Sequence, residues 1–511
     1  MTPLADLLDL DRAATTHVPW PRVLVDADTW LDVAALLGEG GWTLLSLWAD
    51  AARVHMAIAD DAVPPAVAVV SLDAEDGGYP SVGRYHPAAI RLERALRDLS
   101  GLQPEGLPDP RPWLDHGTWG VSAPLGASQG EPAAGTENAP ESYAFLRVDG
   151  ENLHEIPVGP VHAGVIEPGH FRFTVDGETV VRLEERLGYT HKGLESLLAG
   201  STLDHAGRLA GRASGDSTVA YALAFARAAE AACAITPPPR AIWLRALMAE
   251  LERMANHLGD MGAVCNDAAF SIMHAHCGVL RERVLRAAAA CFGHRLMMDR
   301  IVPGGVAVDI DAAGLDALHA LLREIGRHLP QLAEIYDQTA SLQDRTVSTG
   351  LVRPELVRRF GCGGHVGRAS GRDFDTRRDL PYPPYDQLRF TVAVQTEGDV
   401  NARVWVRIRE IDQSVGLINQ ILPLLPTGAI RTPVDAAAGA GREGMALVES
   451  FRGDVLAWLR LDAAGTVARC HLRDPSWFQW PLLEAAIEGN IVADFPLCNK
   501  SFNCSYSGAD L

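Results

Sequence analysis

The sequence predicts an α+β protein with a small N-terminal α/β domain, followed by a larger, mainly helical bundle domain with flanking antiparallel β structure. Three observations predict this class. A β-branched run and an amphipathic helix lie close together in residues 1–117, alanine- and leucine-rich helical segments fill much of residues 144–511, and alternating apolar residues return near the C-terminus. Residues 118–143 are mostly small or polar and lack periodicity, which predicts a flexible linker.

One strand and one helix stand out in the N-terminal domain. Residues 66–72 have the β-branched content of a buried strand. Residues 91–99 have the pattern of a helix, and Gly101 closes it because glycine adopts the left-handed backbone that ends many helices. A proline-rich loop, residues 104–112, ends this domain.

The larger domain is predicted as a set of long helices that pack closely, because their surfaces are rich in small residues. The predicted helices span about residues 216–233, 240–260, 270–298, 312–337, 354–360 and 403–421. Near the C-terminus, residues 445–461 and 467–472 alternate as an antiparallel hairpin would, with a turn at residues 462–465.

Composition and charge argue against some classes of function. The chain carries 65 acidic against 45 basic residues, a formal charge of -20, which argues against a nucleic-acid partner. No apolar run approaches the roughly 18 residues of a membrane span, and the N-terminus lacks the basic start and apolar core of a signal peptide. We therefore expect a cytoplasmic protein, able to dock on a membrane complex through other subunits.

Two short segments have the spacing of a two-ligand metal clip. The first places Ser214 and Ser217 just after Arg212, and the second places Cys504 and Ser507 close to the C-terminus. Three of these four clip positions carry a hydroxyl instead of a thiol. None of the eight cysteines forms a C-x-x-C pair, so the sequence predicts neither a thiolate clip nor a disulfide framework.

Many dispersed segments carry a family resemblance in a common order. They are residues 159–162 (GPVH), 167–171 (EPGHF), 186–195, 250–260, 303–306 (PGGV), 367–371, 377–379 with Tyr382, 396–399 (TEGD) and 490–496 (NIVADFP). Residues 144–511 thereby resemble the large subunit of energy-converting, membrane-bound nickel-iron hydrogenases and the homologous quinone-site subunit of respiratory complex I. Residues 60–117, through Tyr79-Pro80-Ser81-Val82 and the following helix, resemble the small complex I companion subunit that is fused in front in formate-hydrogenlyase-type enzymes.

The resemblance implies where a metal centre would be. In such hydrogenases the nickel-iron centre hangs from two C-x-x-C pairs, which fall here on Ser214 with Ser217 and on Cys504 with Ser507. Soft thiolate ligands suit such a centre, and serine does not ionise near neutral pH. We therefore expect no metal ligands, no cofactor bound by this chain and no hydrogen turnover.

The complex I relatives imply a quinone headgroup in the same region. His162 matches the first histidine of their quinone-side pattern, but the second histidine position is Ile166 and the tyrosine position is Gly215. The sequence therefore predicts a pocket formed by His162, Ser214, Gly215, Ser217, Cys504 and Ser507. Its acceptor is a quinone or another small carrier.

The resemblance also implies roles for Arg212 and Glu195. Arg212 matches an arginine beside the nearest iron-sulfur cluster of the partner subunit, although the neighbouring histidine position is Met297. Glu195 matches a glutamate that passes protons from the metal site, a role that suits a buried carboxylate with a raised pKa. The alternative for Glu195 is a carboxylate stabilised at a helix start.

Asp375 is a third catalytic candidate, from the charged segment 372–379 that approaches the redox pocket in the family. The alternative is an ion-pair network or a solvated face, which is what most charge runs form.

These expectations combine into one function. The chain is expected to be a peripheral-arm subunit on the inner face of the cytoplasmic membrane, in a complex related to NADH-quinone oxidoreductase and hydrogenases. It would be an oxidoreductase complex subunit, not an active hydrogenase by itself. Its partners would be an iron-sulfur small subunit, which carries the cluster, and membrane subunits that translocate ions. The alternatives are an active nickel-iron hydrogenase large subunit, which needs thiolates, and a non-catalytic structural scaffold.

Overall fold

The computed structural model describes residues 4–60, 62, 64–126 and 143–511. The N-terminal unit contains α1 (Leu4–Leu7), β1 (His17–Val18), β2 (Arg22–Leu24), α2 (Ala27–Glu39), β3 (Trp42–Asp50), β4 (Arg53–Asp60), β5 (Val67–Asp73), β6 (Gly78–Pro80), α3 (Ala89–Ser100) and β7 (Gln103–Glu105). The predicted strand at residues 66–72 is confirmed as β5, and the predicted helix as α3. Gly101 ends α3 with a left-handed φ of 80°.

A four-stranded sheet in the order β2-β5-β4-β3 forms the centre of this unit. β2 runs parallel to β5, whereas β4 pairs antiparallel with both β5 and β3. Residues 67–72 of β5 are all buried. Helices α2 and α3 pack on one face of the sheet, and apolar residues of the larger unit, among them Met445 and Trp458, cover the other face. Because both faces are buried, the strand has a nearly continuous apolar run instead of an alternating one.

The larger unit follows the predicted order of helices and strands. It contains β8 (Leu153–Val158), β9 (His170–Asp176), β10 (Thr179–Arg186), α4 (Leu194–Leu198), α5 (Leu203–Ala210), α6 (Thr218–Cys233), α7 (Pro239–Asp267), α8 (Ser271–Phe292), β11 (Ile301–Val302), β12 (Gly305–Val306), α9 (Ala312–Gln338), α10 (Ala340–Thr346), α11 (Pro354–Phe360), α12 (Gly364–Ala369), α13 (Thr376–Asp379), α14 (Val400–Leu424), β13 (Glu443–Glu449), β14 (Asp454–Leu461), β15 (Val467–Arg473), α15 (Ser476–Ile487), α16 (Phe495–Phe502) and α17 (Tyr506–Asp510). The predicted α+β class is confirmed.

Helix α7 lies within the bundle, where it packs against α8, α14 and α16. It continues to Asp267, beyond the predicted end at residue 260. Helix α8 instead ends earlier than predicted, at Phe292, because Gly293 follows in the left-handed conformation with φ 71°. Asp399 begins α14 by accepting a hydrogen bond from the Ala402 N–H.

The C-terminal β structure differs from the predicted hairpin. The pattern predicts one strand over residues 445–461, but these residues form most of β13 and all of β14, separated by a turn in which Gly453 has φ 136°. β13, β14 and β15 form an antiparallel meander, and β1 of the N-terminal unit adds to its edge, parallel to β13. A strand from the first unit thus completes a sheet of the second.

The two units share a core. The Trp48 and Trp458 rings lie 5.4 Å apart between the two four-stranded sheets. A buried ion pair, Arg22 to Glu443 at 2.8 Å, also joins the units. Most of the predicted linker, residues 127–142, lies outside the described residues. Within the described ranges, no helix is long and apolar enough to cross a membrane.

Candidate functional site

The C-terminal turn folds back onto the bundle and brings the two serine-containing segments together. Asp510, in α17, accepts hydrogen bonds from the Thr190 N–H at 2.9 Å and the Thr190 hydroxyl at 2.7 Å. The Lys192 N–H donates to the Leu511 carbonyl at 2.8 Å, and Lys192 Nζ donates to the Ala213 carbonyl at 3.2 Å. The loop before α4 therefore links α17 to the segment that precedes α6.

Ser214 and Ser217 are tied into a hydrogen-bonded ion pair. The Ser214 hydroxyl donates to Asp216 at 2.8 Å and lies 2.9 Å from the Ser505 hydroxyl. Arg452 donates to both Asp216 oxygens, at 2.7 and 2.6 Å, and to Ser217 Oγ at 3.0 Å. Burial raises the pKa of Asp216, but Arg452 and the serine hydroxyls outweigh burial and lower that pKa. We call these five residues the serine-arginine lock.

The other predicted pocket residues do not join this lock. Cys504 is buried, with Sγ 3.9 Å from Gln479 Oε1, and burial raises the pKa of its thiol well above the ordinary value. Ser507 is also buried, and its N–H donates to Glu167 at 3.0 Å. Gly215 is exposed, and an added Cβ would meet nothing within 4 Å. His162 and Cys504 line one cavity, whereas Ser214 and Ser217 are bound in the lock.

This donor set does not fit a nickel-iron centre. Such a centre needs soft thiolates, whereas three of the clip positions are neutral hydroxyls and the thiol of Cys504 stays protonated near pH 7. Asp216, the carboxylate beside the serines, is already neutralised by Arg452. Within the part of the chain that the structure describes, no group of three or more His, Cys, Asp or Glu could hold a metal ion.

A cavity of about 220 Å³ lies beside Cys504, and His162 and Lys500 also line it. His162 Nε2 is shielded from solvent and has no hydrogen-bond partner among the described residues. The Tyr506 ring, also on the wall, lies 6.2 Å from the imidazole, and its hydroxyl accepts from Asn499 at 3.3 Å. Burial lowers the pKa of His162, so the imidazole is neutral near pH 7. The cavity combines an aromatic wall with an unused polar nitrogen.

Glu195 is buried at the start of α4, but its expected raised pKa is wrong. Its carboxylate accepts from His471 Nδ1 at 2.8 Å and lies 2.8 Å from an Arg469 nitrogen. Burial raises the pKa of Glu195, yet Arg469 and His471 outweigh it and lower the pKa to about 2. His471 also hydrogen-bonds Ser46 of the N-terminal unit at 2.8 Å. Glu195 is therefore an ionised group at the junction of the two units.

Arg212 lies at the protein surface. It forms a two-pronged ion pair with Asp299, with distances of 2.7 and 2.8 Å. Met297, which occupies the predicted histidine position two residues before Asp299, is buried. Arg212 is accessible to another subunit, and its role beside a partner's cluster stays a prediction.

Asp375 belongs to a buried ion-pair network and does not line the cavity with His162. It caps α13 and lies 2.7 Å from Arg377, while Arg368 lies 3.5 Å away. Arg368 also pairs with Glu410 and Glu449, each at 2.8 Å. Burial raises the pKa of Asp375, but Arg377 and Arg368 lower it below the ordinary range. This position agrees with the ion-pair alternative for the charged segment.

Sequence reasoning missed the two residues that dominate the lock. Asp216 was a usable signal, because a carboxylate between two serines of a metal clip suggests a cation partner in place of the metal. Arg452 gave no such signal, since 236 residues separate it from Asp216. Only the fold brings them together.

Comparison with known proteins agrees with this architecture. Residues 268–441 match the family described as "Respiratory-chain NADH dehydrogenase, 49 Kd subunit", and residues 23–130 match "Respiratory-chain NADH dehydrogenase, 30 Kd subunit". The second match is wider than the predicted region of resemblance, residues 60–117. Both regions lie in one chain, which defines a fused subunit of the NADH dehydrogenase and hydrogenase class.

Similar individual proteins come from both branches of that class. Formate hydrogenlyase subunit 5 of Escherichia coli (strain K12) is 31% identical over 86% of this chain and 78% of its own length. Hydrogenase-4 component G of the same organism is 30% identical, over 94% of this chain and 84% of its own. An NADH-quinone oxidoreductase subunit of Syntrophobacter fumaroxidans (strain DSM 10017 / MPOB) is 30% identical, over 68% of this chain and 94% of its own.

The chain therefore belongs to the family that contains the 49 Kd-type subunit of NADH-quinone oxidoreductase and the homologous large subunits of energy-converting hydrogenases, with a 30 Kd-type region fused in front. The predicted resemblance is confirmed.

Proposed function

We propose that this protein is a peripheral-arm subunit of a membrane-bound redox complex and that it works without a nickel-iron centre. The observation that carries the proposal is the serine-arginine lock. An internal ion pair with hydroxyl partners lies at the clip segment that would supply thiolates in a hydrogenase. The low pKa of Asp216 and the satisfied bonds of Arg452 leave no unfilled soft-ligand site there.

Electrons would reach this subunit from an iron-sulfur small subunit, which holds the cluster. Arg212 is the residue we assign to that contact, because it is exposed and presents a charged group at the start of the segment leading to the lock. Membrane subunits that translocate ions would complete the complex at the inner face of the cytoplasmic membrane. The family supports these partners, because the relatives described above are named as subunits or components.

The electron acceptor we propose is a quinone headgroup in the cavity with His162. A planar headgroup fits beside the Tyr506 ring, and neutral His162 can donate its free Nε2–H to a quinone carbonyl. Reduction needs two electrons from the partner's cluster and two protons, which convert both carbonyls to hydroxyls. Lys500 on the cavity wall is the cationic group that faces the developing negative charge, and Asp267 also lines this wall.

The rival functions rest on different features. An active hydrogenase needs a thiolate donor set that these positions do not supply. A structural scaffold is favoured by the closed lock. It gives no reason for a cavity of about 220 Å³ with a histidine nitrogen that has no hydrogen-bond partner in the described part of the chain. The redox function accounts for both features.

The test uses the complex purified from its native membrane, with nickel content, hydrogen uptake and quinone reduction measured on one sample. We expect no stoichiometric nickel and no hydrogen turnover, with quinone reduction present. His162→Leu should lower quinone reduction about tenfold, because it removes the hydrogen-bond donor to a polarised carbonyl. The matched control is His154→Leu, which changes an exposed histidine on β8.

Three outcomes separate the functions. One nickel per chain with hydrogen-dependent dye reduction would refute the proposal in favour of a hydrogenase. Equal activity of the His162 and His154 variants would place the acceptor elsewhere. A complex that carries no electrons to any quinone would support the scaffold.

A further inference from the structure

A second cavity, of about 270 Å³, lies between α6, the start of α7, β13 and the segment around residues 382–385, with Pro19 of the N-terminal unit on its rim. It shares no lining residue with the cavity that contains His162. Its wall includes apolar side chains from three elements, Leu223, Ile242 and Met445. The cavity therefore offers an apolar volume large enough for a small organic molecule.

Arg227 is the unusual residue of this wall. It lies on α6, is only partly exposed, and its Nε is shielded from solvent without a hydrogen-bond partner. Within the described ranges the guanidinium forms no ion pair, and it lies over the Tyr382 ring, with 4.5 Å from the guanidinium carbon to the ring centre. Burial lowers the pKa of Arg227. A buried cation without a counterion is costly, so a ligand that supplies one gains binding energy.

The nearby acid cannot serve as that counterion. Glu230, also on the wall, accepts from Arg245 at 3.0 Å and from the Gly304 N–H at 2.8 Å. Arg245 in turn is neutralised by Glu230, and its remaining donors reach backbone carbonyls. Among the residues that the structure describes, the wall's one charge without an ion-pair partner is thus the positive charge of Arg227.

The two tyrosines of the wall direct their hydroxyls elsewhere. The Tyr385 hydroxyl donates to Glu250 at 2.6 Å, and the Tyr382 hydroxyl accepts from the Glu449 N–H at 3.3 Å. Both hydroxyls belong to the buried polar network, and the rings are left to line the cavity. The cavity therefore has an aromatic and aliphatic wall with a single cationic end.

We propose that this cavity binds a small organic monocarboxylate, with the carboxylate on Arg227 and the apolar body against Leu223, Ile242 and Met445. The planar guanidinium fork matches a carboxylate and can bond it with two parallel N–H donors. A single uncompensated cation fits a monoanion better than a phosphate dianion. The wall is largely apolar, so a hydrated inorganic anion that entered the cavity would lose more hydrogen bonds to water than the wall could replace.

The test measures binding of 4-fluorobenzoate to the purified full-length chain by fluorine NMR and calorimetry, with 4-fluorobenzyl alcohol and inorganic phosphate as comparison ligands. We expect 4-fluorobenzoate to bind and the other two to bind at least about tenfold more weakly. The alcohol loses the charge-assisted hydrogen bond, and phosphate loses its hydration against a largely apolar wall. Arg227→Met should weaken 4-fluorobenzoate binding by a similar factor. Arg327→Met, which removes an exposed arginine of α9, is the matched control and should bind as the unmodified chain does.

A second variant keeps the test valid if Arg227→Met misfolds. Ala231→Phe retains the arginine but fills part of the cavity from its α6 wall, and it should also prevent binding. The proposal is overturned if the unmodified chain does not bind 4-fluorobenzoate at millimolar concentration. It is equally overturned if folded Arg227→Met or Ala231→Phe binds it unchanged, or if phosphate binds as tightly.

Discussion

Removal of the Asp216 carboxylate should leave Arg452 as a buried cation without its counterion. The Arg452 side chain is only 3% exposed, whereas that of Asp216 is 36% exposed. Breaking a fully buried pair by deleting one partner costs about 3–5 kcal/mol. Solvent screens part of this pair, and Arg452 keeps its bonds to Ser217 and the Asn503 carbonyl. We therefore expect Asp216→Ala to reduce the free energy of unfolding by about 2–3 kcal/mol.

A double-mutant cycle isolates the interaction itself. The variants are Asp216→Ala, Arg452→Met and both together, and the double variant should recover part of the loss because no charge is left uncompensated. The expected coupling energy is about 1.5–2.5 kcal/mol. A chain of 511 residues does not unfold in one step. The assay is therefore native-state hydrogen exchange of the α6 and α17 amides, which reports local opening free energies.

A second pair gives the matched control. Arg212 and Asp299 form an ion pair of similar geometry, but their side chains are 39% and 33% exposed. The same cycle there should give a coupling energy below about 1 kcal/mol. If the Asp216–Arg452 coupling is below about 0.5 kcal/mol, or equals that of the control pair, the reasoning that the ion pair locks the two segments is refuted.

Two further predictions follow from buried carboxyl groups. Glu195→Gln should lower the free energy of local unfolding by about 3 kcal/mol at pH 7, because Arg469 loses its counterion. The pKa of Glu195 is lowered to about 2. The stability that this ion pair contributes is therefore present above about pH 4.5 and is lost as pH falls toward 2. Native-state hydrogen exchange of the α4 amides measures this loss. The pH profile of quinone reduction should stay unchanged, whereas a lost basic or acidic limb would show that Glu195 transfers protons. Burial raises the pKa of Glu252 to about 8 despite bonds from the Val219 and Ala220 N–H groups. The folded state therefore holds this proton, and the local stability should fall as pH rises from about 4.5 to 8. Glu252→Gln should remove that fall, and an unchanged pH dependence of the opening free energy of the α7 amides would contradict the prediction.

Local sequence patterns were enough to predict most of the helices and strands. The strand β5, the helices α3, α6, α9 and α11, and the order of helices along the larger unit follow from periodicity and capping residues. The turn inside residues 445–461 was missed although the sequence signals it, because Gly453 and Asp454 are turn-favouring residues between two apolar runs. The pairing of β1 with β13 is a contact over more than 400 residues, which no local pattern encodes.

Some features of the candidate site likewise follow from the sequence, and others follow only from the fold. The sequence by itself determined the family and the loss of three of the four clip cysteines, because these depend only on which residues occupy which positions. Only the tertiary structure decided what the remaining groups do. It paired Asp216 with Arg452 and lowered the pKa of Glu195 through Arg469. It also placed His162 and Arg227 at cavity walls, where one shielded nitrogen of each has no hydrogen-bond partner among the described residues. Charges and pKa values depend on burial and on neighbours in space, and those neighbours are set by the fold.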